Sequence, residues 1–306
     1  MPRRAYLKGM LSGLALSATV AESAANSAPV PGTLAVNAEA LASRLVGKAL
    51  LDTLARMRGR TDGKTVFGWL NATRSTVIDG DIVPLCGVVA GAMQRWKRIA
   101  EDRYEVTDLE IAHYTDLATG ELLDTLKMPQ TGRTVQVPRY RFGPTKVRFA
   151  VALDEWEEFE PVKAAANNAS QFAPRSSVHL VRSVGPAWAV GNDVLLRADE
   201  YGRVYPDRAK PPTVFYREWM IWRAAAAALA NADTPSVAAD YAYSALSGWR
   251  PWMQMEGVNG HTAENGIGAK AERWSDCPAQ FLELTRRLHP DVLDNPERAL
   301  NGSPRK

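Results

Sequence analysis

The chain has 306 residues, of which 46% are hydrophobic, and it carries a formal net charge of +3. This length can form one large domain or two small ones with a sizeable buried core. No basic stripe with interleaved aromatic residues is present in the sequence, which argues against a nucleic-acid partner.

The N-terminus resembles an export signal. Residues 2–8 read Pro-Arg-Arg-Ala-Tyr-Leu-Lys, a moderately apolar run follows over 10–20, and small residues dominate 21–28. The run is shorter than the roughly 20 apolar residues of a membrane anchor, and small residues suit cleavage by a signal peptidase. We therefore expect a twin-arginine signal peptide over 1–28, export to the periplasm by the twin-arginine translocase, and no stable membrane span. A surface amphipathic helix is the alternative, but it explains the paired arginines poorly.

The rest of the chain predicts a linker over 29–36, one domain over 37–290 and a polar tail over 291–306. Asn37 is a good N-cap, and leucines recur at helical spacing up to Gly59, so one helix is expected there. Short β-branched and aromatic runs then alternate with turn signals, among them Asp79-Gly80, and 93–99 is expected as a separate strand. The pattern predicts a mainly β (β-rich α+β) fold: an antiparallel β-barrel or calycin-like meander with an N-terminal and a C-terminal helix.

The two cysteines, Cys86 and Cys277, belong to no metal-binding spacing. An oxidising compartment would permit a disulfide between them, but two buried thiols are the preferred interpretation.

Several segments resemble one known family. The stretch from His113 to Asp124, followed by Pro129-Gln130-Thr131-Gly132, is similar to the family catalogued as domain of unknown function 1838, whose exported bacterial members often carry twin-arginine signals. The segments 64–70, 249–255 and 268–270 also fit this family, and the resemblance covers roughly 54–288. The chain has Met128 where the family commonly has Asn. The resemblance implies a fold and brings no established catalytic residues.

The strand predicted over 104–114 places Glu110, Ala112 and Tyr114 on one face and Leu109, Ile111 and His113 on the other. In a barrel interior, Glu110 can act as a general acid or base, and Tyr114 can donate a hydrogen bond to a developing oxyanion. A solvent-facing Glu110 in an ion pair is the alternative. His113 fits a core residue better than a catalyst, and Asp116 fits a turn residue.

A second cluster lies on the predicted strand over 213–222. Its face with Tyr216, Glu218, Met220 and Trp222 combines aromatic surface with one carboxylate and suits an aromatic ligand, although ordinary core packing would explain it equally well. The loop around Pro251 could cover the mouth of a cavity. We expect Glu110, Tyr114, Glu218 and His261 to be catalytic, and His261 is chosen because histidine as a residue type titrates near neutral pH. The expected ligand contacts are Trp69, Arg74, Tyr216, Trp222, Trp249 and Trp252, while Arg139 and Arg141 are further carboxylate-binding candidates.

The sequence contains no dinucleotide-binding, P-loop, zinc-protease or nucleophile-elbow motif, and no spacing that argues for a metal. We therefore expect no cofactor. The leading hypothesis is a cofactor-independent acid–base lyase or isomerase that acts on a bulky aromatic or polycyclic compound, for example by elimination from a lignin-derived phenol. A non-catalytic periplasmic carrier of a hydrophobic ligand is the alternative, and an exported structural or interaction protein is the third hypothesis.

Overall fold

The computed structural model describes residues 36–159, 176–205, 212 and 214–302. The predicted signal peptide over 1–28 and the predicted linker up to residue 35 lie outside the described residues and stay predictions. The last four residues of the predicted polar tail, 303–306, lie outside them as well.

From residue 36 onwards, two helices precede the first strand, α1 (Ala38–Ala42) and α2 (Gly47–Arg58). Asn37 caps α1, because its side chain accepts a hydrogen bond of 2.9 Å from the backbone N–H of Ala40. The sequence predicted one continuous helix, which is wrong: the chain breaks before α2, where Gly47 has a φ of 52°. The leucines of α2 that are buried in the domain core are Leu50, Leu51 and Leu54.

The strands of the described residues follow in chain order. They are β1 (Thr65–Ile78), β2 (Asp81–Ala100), β3 (Arg103–Thr115), β4 (Thr125–Lys127), β5 (Thr134–Gln136), β6 (Tyr140–Phe149), β7 (Ala152–Phe159), β8 (Ser176–Val190), β9 (Asp193–Tyr205), β10 (Val214–Ala225), β11 (Asp240–Ser247) and β12 (His261–Ala271). A short helix, α3 (Ala226–Ala230), follows β10 directly, so the alanine run first ends a strand and then starts a helix.

Ten of these strands form one antiparallel sheet in the order β6-β3-β2-β1-β12-β11-β10-β9-β8-β7, and β4 and β5 form a separate hairpin. The sheet is curled into a nearly closed barrel, which confirms the predicted fold class. Strands β6 and β7 are its two edges. Side chains link the two sides of the opening between these edges. The side chain of Arg182, on β8, donates to the backbone oxygen of Arg148, on β6, at 2.8 Å, and the Arg148 guanidinium lies 3.5 Å from the carboxylate of Glu155, on β7.

The hairpin between β1 and β2 turns at Asp79 and Gly80, whose φ values of 51° and 86° are those of the tight turn that the sequence predicted. Strand β2 then runs for 20 residues without a break, so the separate strand predicted over 93–99 is wrong. Glycine disfavours strand structure, but Gly91 lies within β2 and allows the ring of Phe281 to pack closely against the strand. A Cβ atom at Gly91 would lie 2.4 Å from the ring of Phe281.

The C-terminal region packs on the outside of the barrel. Helix α4 (Ala279–Leu288) confirms the predicted closing helix, and it is followed by α5 (Pro290–Asp294) and α6 (Pro296–Leu300). The predicted polar tail is therefore wrong up to residue 300. Val292 and Leu300 are almost fully buried beside the side chains of β2 and β3, so burial of apolar surface holds these short helices in place.

Both cysteines are buried and unbonded, and they lie in different core clusters, which agrees with the two-thiol interpretation. Among the described residues, no helix has the length and apolar composition needed to span a membrane.

Candidate functional site

The barrel encloses two adjoining cavities. The first cavity lies mainly between β1, β2, β3 and the strands β10 to β12, and its space, including the opening to solvent, is about 1050 Å³. The second cavity lies beside β6, β8 and β9 and is of similar size. The side chains that line both cavities form what we call the waist, namely Arg58, Glu110, Tyr140, Glu218 and Met220.

Small residues at facing positions of adjacent strands leave room for the first cavity. Ala90 of β2 lies opposite Ala112 of β3, and Gly68 of β1 lies opposite Ala92 of β2. All four residues line the cavity. Larger apolar side chains at these positions would fill the interior, as they do in small barrels without ligand space.

Strand β3 places its carboxylate face inside the barrel. Glu110, Ala112 and Tyr114 line the first cavity, so the alternative of a solvent-facing Glu110 is wrong. Leu109 and Ile111 point outwards and are covered by the C-terminal helices. The alternation of the strand thus separates a polar lining from an apolar outer layer.

Glu110 stands in a cluster of proton-binding groups. The hydroxyl of Tyr140 donates to Oε2 of Glu110 at 3.4 Å, and Asp108 neighbours Glu110 on the same strand face. Burial, followed by the charges of Asp108 and Glu218, raises the pKa of Glu110 well above its ordinary value. Burial also raises the pKa of Tyr140, so its hydroxyl stays a neutral donor. These surroundings favour the protonated form of Glu110.

Glu218 is the second carboxyl group of the waist. Strand β10 places it between Tyr216 and Met220 on the inner face, as the sequence predicted. Burial, followed by the charges of Glu200 and Glu264, raises the pKa of Glu218 to about 7, although Arg250 and Arg58 oppose this rise. Glu218 therefore exists in both protonation states near neutral pH.

Aromatic surface lies beside these carboxyl groups in the first cavity. Trp222 and Tyr241 pack with ring centroids 4.4 Å apart, and both line the cavity together with Trp69. The indole N–H of Trp222 is buried and has no acceptor among the described residues. It can donate a hydrogen bond to a ligand, because buried donors rarely stay unpaired.

Tyr114 is engaged by a buried ion pair. Arg74 and Glu264 lie directly opposite each other on β1 and β12, and Nε of Arg74 donates to Oε1 of Glu264 at 2.5 Å. Arg74 also donates to the hydroxyl of Tyr114 at 3.2 Å and lies 4.9 Å from its ring centroid. Burial alone would lower the pKa of Arg74, but the Glu264 carboxylate raises it. The guanidinium of Arg74 is therefore already hydrogen-bonded to Glu264 and Tyr114 without a ligand.

The second cavity has its own ion pair. Arg182 donates to Glu200 at 2.6 Å and to Glu157 at 3.3 Å, and only 5% of its side chain is exposed. Tyr216 donates to Glu200 at 2.9 Å. Burial favours the neutral form of Glu200, but Arg182 and the hydrogen bonds outweigh it and lower the pKa. Unlike Glu110, Glu200 is thus a permanent carboxylate.

The remaining predicted residues lie elsewhere. His261 begins β12, opposite Val77, and lines neither cavity, so it is not beside the carboxyl groups. Trp249 donates to the backbone oxygen of Val258 at 2.8 Å, and the Trp252 ring lies 5.6 Å from that of Tyr114. These two indoles pack in one core cluster with Ala112 and Tyr114 and line neither cavity.

His113 is a core residue, as expected. Its Nε2 lies 2.8 Å from the hydroxyl of Thr285, and burial lowers its pKa to about 3. Asp116 accepts hydrogen bonds from the backbone of Ala118 and Thr119, which confirms the turn interpretation. Arg139 and Arg141 pair with Asp124 and Asp291 and line neither cavity.

Sequence reasoning missed several lining residues. Arg58 ends α2, where a basic residue is usual beside the helix dipole, so nothing marked it as an interior group. Tyr140 is the first residue of β6, and β12 contributes Glu264 from a glycine-rich run of low β propensity. Arg250, between the two tryptophans of the loop, lines the first cavity although neither tryptophan does.

The sequence matches no known family model, and no curated protein is significantly similar to it. The resemblance to domain of unknown function 1838 therefore stays a prediction. Among the described residues, no group of three or more His, Cys, Asp or Glu side chains could hold a metal ion.

Proposed function

We propose that the barrel binds a bulky aromatic small molecule in the first cavity and transforms it by acid–base catalysis, as a cofactor-independent lyase or isomerase. One observation carries the proposal. Glu110 and Glu218 line the same cavities, and their surroundings raise the two pKa values to different extents. Pairs of titratable groups whose pKa values are pushed apart supply the acid and the base in many enzymes.

The two carboxyl groups take complementary roles. Glu218, which ionises near neutral pH, is the base, and Glu110, which keeps its proton, is the acid. In the release of an aldehyde from a hydroxymethyl-bearing phenol, Glu218 takes the hydroxyl proton, the carbon–carbon bond breaks, and the resulting carbanion takes the proton of Glu110. Tyr140, hydrogen-bonded to Glu110, holds that carboxyl group in place.

A carrier that binds without turnover is the alternative. Its binding surface needs aromatic and apolar groups, which Trp69, Trp222 and Tyr241 supply. It gives no reason, however, for two buried carboxyl groups with raised pKa values, which cost stability wherever they are forced to ionise. Formation of a product from the bound compound would distinguish the enzyme from the carrier.

Filling the first cavity should abolish binding. We expect Ala112→Phe to lower the affinity for aromatic ligands by about tenfold or more, because the new ring occupies the space between Ala90 and Glu110. The measurement is quenching of tryptophan fluorescence by a panel of phenols and naphthalene derivatives, with mass spectrometry of each mixture to detect products.

The matched control is Ala242→Phe, since Ala242 is exposed on β11 and lines neither cavity. Circular dichroism should show both variants folded. Equal binding by the wild type and Ala112→Phe would place the ligand elsewhere, and binding of no compound in the panel would contradict the proposed function. Binding with no product formed would support the carrier.

A further inference from the structure

Arg58 points its guanidinium into the barrel interior, where it forms no ion pair with a carboxylate of the described residues. It projects from the C-terminal end of α2 into the waist and lines both cavities. Its Nη1 lies 3.8 Å from the sulfur of Met220, and its Cζ lies 4.9 Å from the ring centroid of Phe149. A thioether and an aromatic face are weak partners for a cation, and no ion pair with Arg58 forms among the described residues.

Two other arginines in the barrel interior, by contrast with Arg58, form ion pairs. Arg74 is paired with Glu264 and also reaches Tyr114. Arg182 is paired with Glu200 and Glu157. Each of these cations thus has an anion placed against it by a neighbouring strand, whereas Arg58 has none.

The carboxyl groups around the waist form no ion pair with Arg58 among the described residues. Burial raises the pKa values of Asp108 and Glu110, which favours their protonated forms, although the charge of Arg58 opposes this rise. Glu200 is ionised but already accepts from Arg182 and Tyr216. An interior cation without a counter-charge destabilises a fold, so its retention fits a group that a ligand completes.

We infer that Arg58 binds the carboxylate of an aromatic acid whose ring lies in the first cavity. The inference rests on the proposed function, since it specifies the ligand of that same cavity. A planar guanidinium binds a carboxylate through two parallel N–H donors, and aromatic surface for the ring is present at Trp222 and Tyr241.

The charge of the waist favours a singly charged acid over a phosphate ester. Arg58 shares the waist with Glu110 and Glu218, and a dianion there would face Glu218 whenever that carboxyl group ionises. A carboxylate brings one negative charge, which Arg58 balances. Arg250 also lines the first cavity, and its charge acts on Glu218 in the same direction as that of Arg58.

The test compares 2-naphthoate with 2-naphthamide, which have the same ring and nearly the same shape but differ in charge. Affinities are measured by tryptophan fluorescence for the wild type, Arg58→Met and Arg58→Lys. The wild type should bind the acid about ten- to a hundredfold more tightly than the amide. Arg58→Met should lose this preference while its affinity for the amide stays within about twofold, and Arg58→Lys should keep part of it.

The outcomes separate this inference from the proposed function. If the wild type binds both compounds equally, or if folded Arg58→Met keeps the preference for the acid, the assignment of Arg58 is wrong while the cavity still binds aromatic ligands. If neither compound nor any member of the aromatic panel binds, the proposed function fails and the inference fails with it.

Discussion

Glu218→Gln should lower the turnover of a substrate by about 10²–10⁴-fold, because the amide cannot accept the proton that the reaction removes. Binding should change little, since glutamine keeps the size of the side chain and its place between Tyr216 and Met220. The measurement is kcat and KM for a compound that the aromatic panel identifies as a substrate. A fall in kcat with a nearly unchanged KM is the expected result.

The pH profile adds a second readout. The base works when ionised, so kcat/KM of the wild type should fall as the pH drops through about 7, the pKa of Glu218. At higher pH the rate should fall again as Glu110 loses its proton, which gives a bell-shaped curve. Glu105→Gln is the matched control, because Glu105 lies on β3 but pairs with Lys146 outside both cavities. Equal rates for the wild type and Glu218→Gln would remove Glu218 from the mechanism.

Glu264→Leu should destabilise the barrel by about 3–5 kcal/mol, because it leaves the charge of Arg74 buried without an anion. Only 7% of the Arg74 side chain and 10% of the Glu264 side chain are exposed, so solvent screens the unpaired charge only weakly. The measurement is the free energy of unfolding from urea or guanidinium denaturation, taken from the transition midpoint and slope.

The double variant Arg74→Met, Glu264→Leu distinguishes an unpaired charge from a general packing defect. Replacing both members of a buried ion pair by apolar side chains is often neutral or stabilising. The double variant should therefore recover most of the stability that Glu264→Leu loses. A double variant as unstable as the single one would mean that packing, rather than charge pairing, determines the effect.

The sequence predicted much of the candidate site because alternation along a strand is a strong local signal. Glu110 and Tyr114 were placed on one face of β3, and Glu218 and Trp222 on one face of β10, both correctly. Which face of each strand is the interior could not be read from the pattern. That choice depends on how the sheet curls and on the outer layer of α4 to α6, which are non-local features.

The failures have equally specific causes. Strand β12 contains Gly266 and Gly268, and its signal was too weak to separate it from a loop, so Glu264 was missed. Arg58 is the last residue of α2, and nothing in the local sequence indicates that its side chain enters a barrel formed by later strands. His261 attracted attention because histidine is a common acid–base residue in enzymes, but the pairing of β12 with β1 places it away from the cavities.

Interior ion pairs explain how a barrel with so many charged lining groups can fold. Arg74 with Glu264 and Arg182 with Glu200 neutralise each other across or along adjacent strands. The waist brings together Arg58, which forms no ion pair among the described residues, and the carboxyl groups of Glu110 and Glu218, whose pKa values burial raises. We expect function to reside there, because polar groups that a fold does not need are retained most often at ligand sites.

The most direct test of the account is a ¹³C NMR titration of the glutamate carboxyl carbons, with Glu218→Gln used to assign the resonance of Glu218. The account predicts that this resonance titrates with a midpoint near pH 7, and that an aromatic acid bound in the cavity shifts the midpoint upwards. A midpoint near the ordinary value of 4.5, unchanged by any ligand, would contradict it, because Glu218 would then stand in open water.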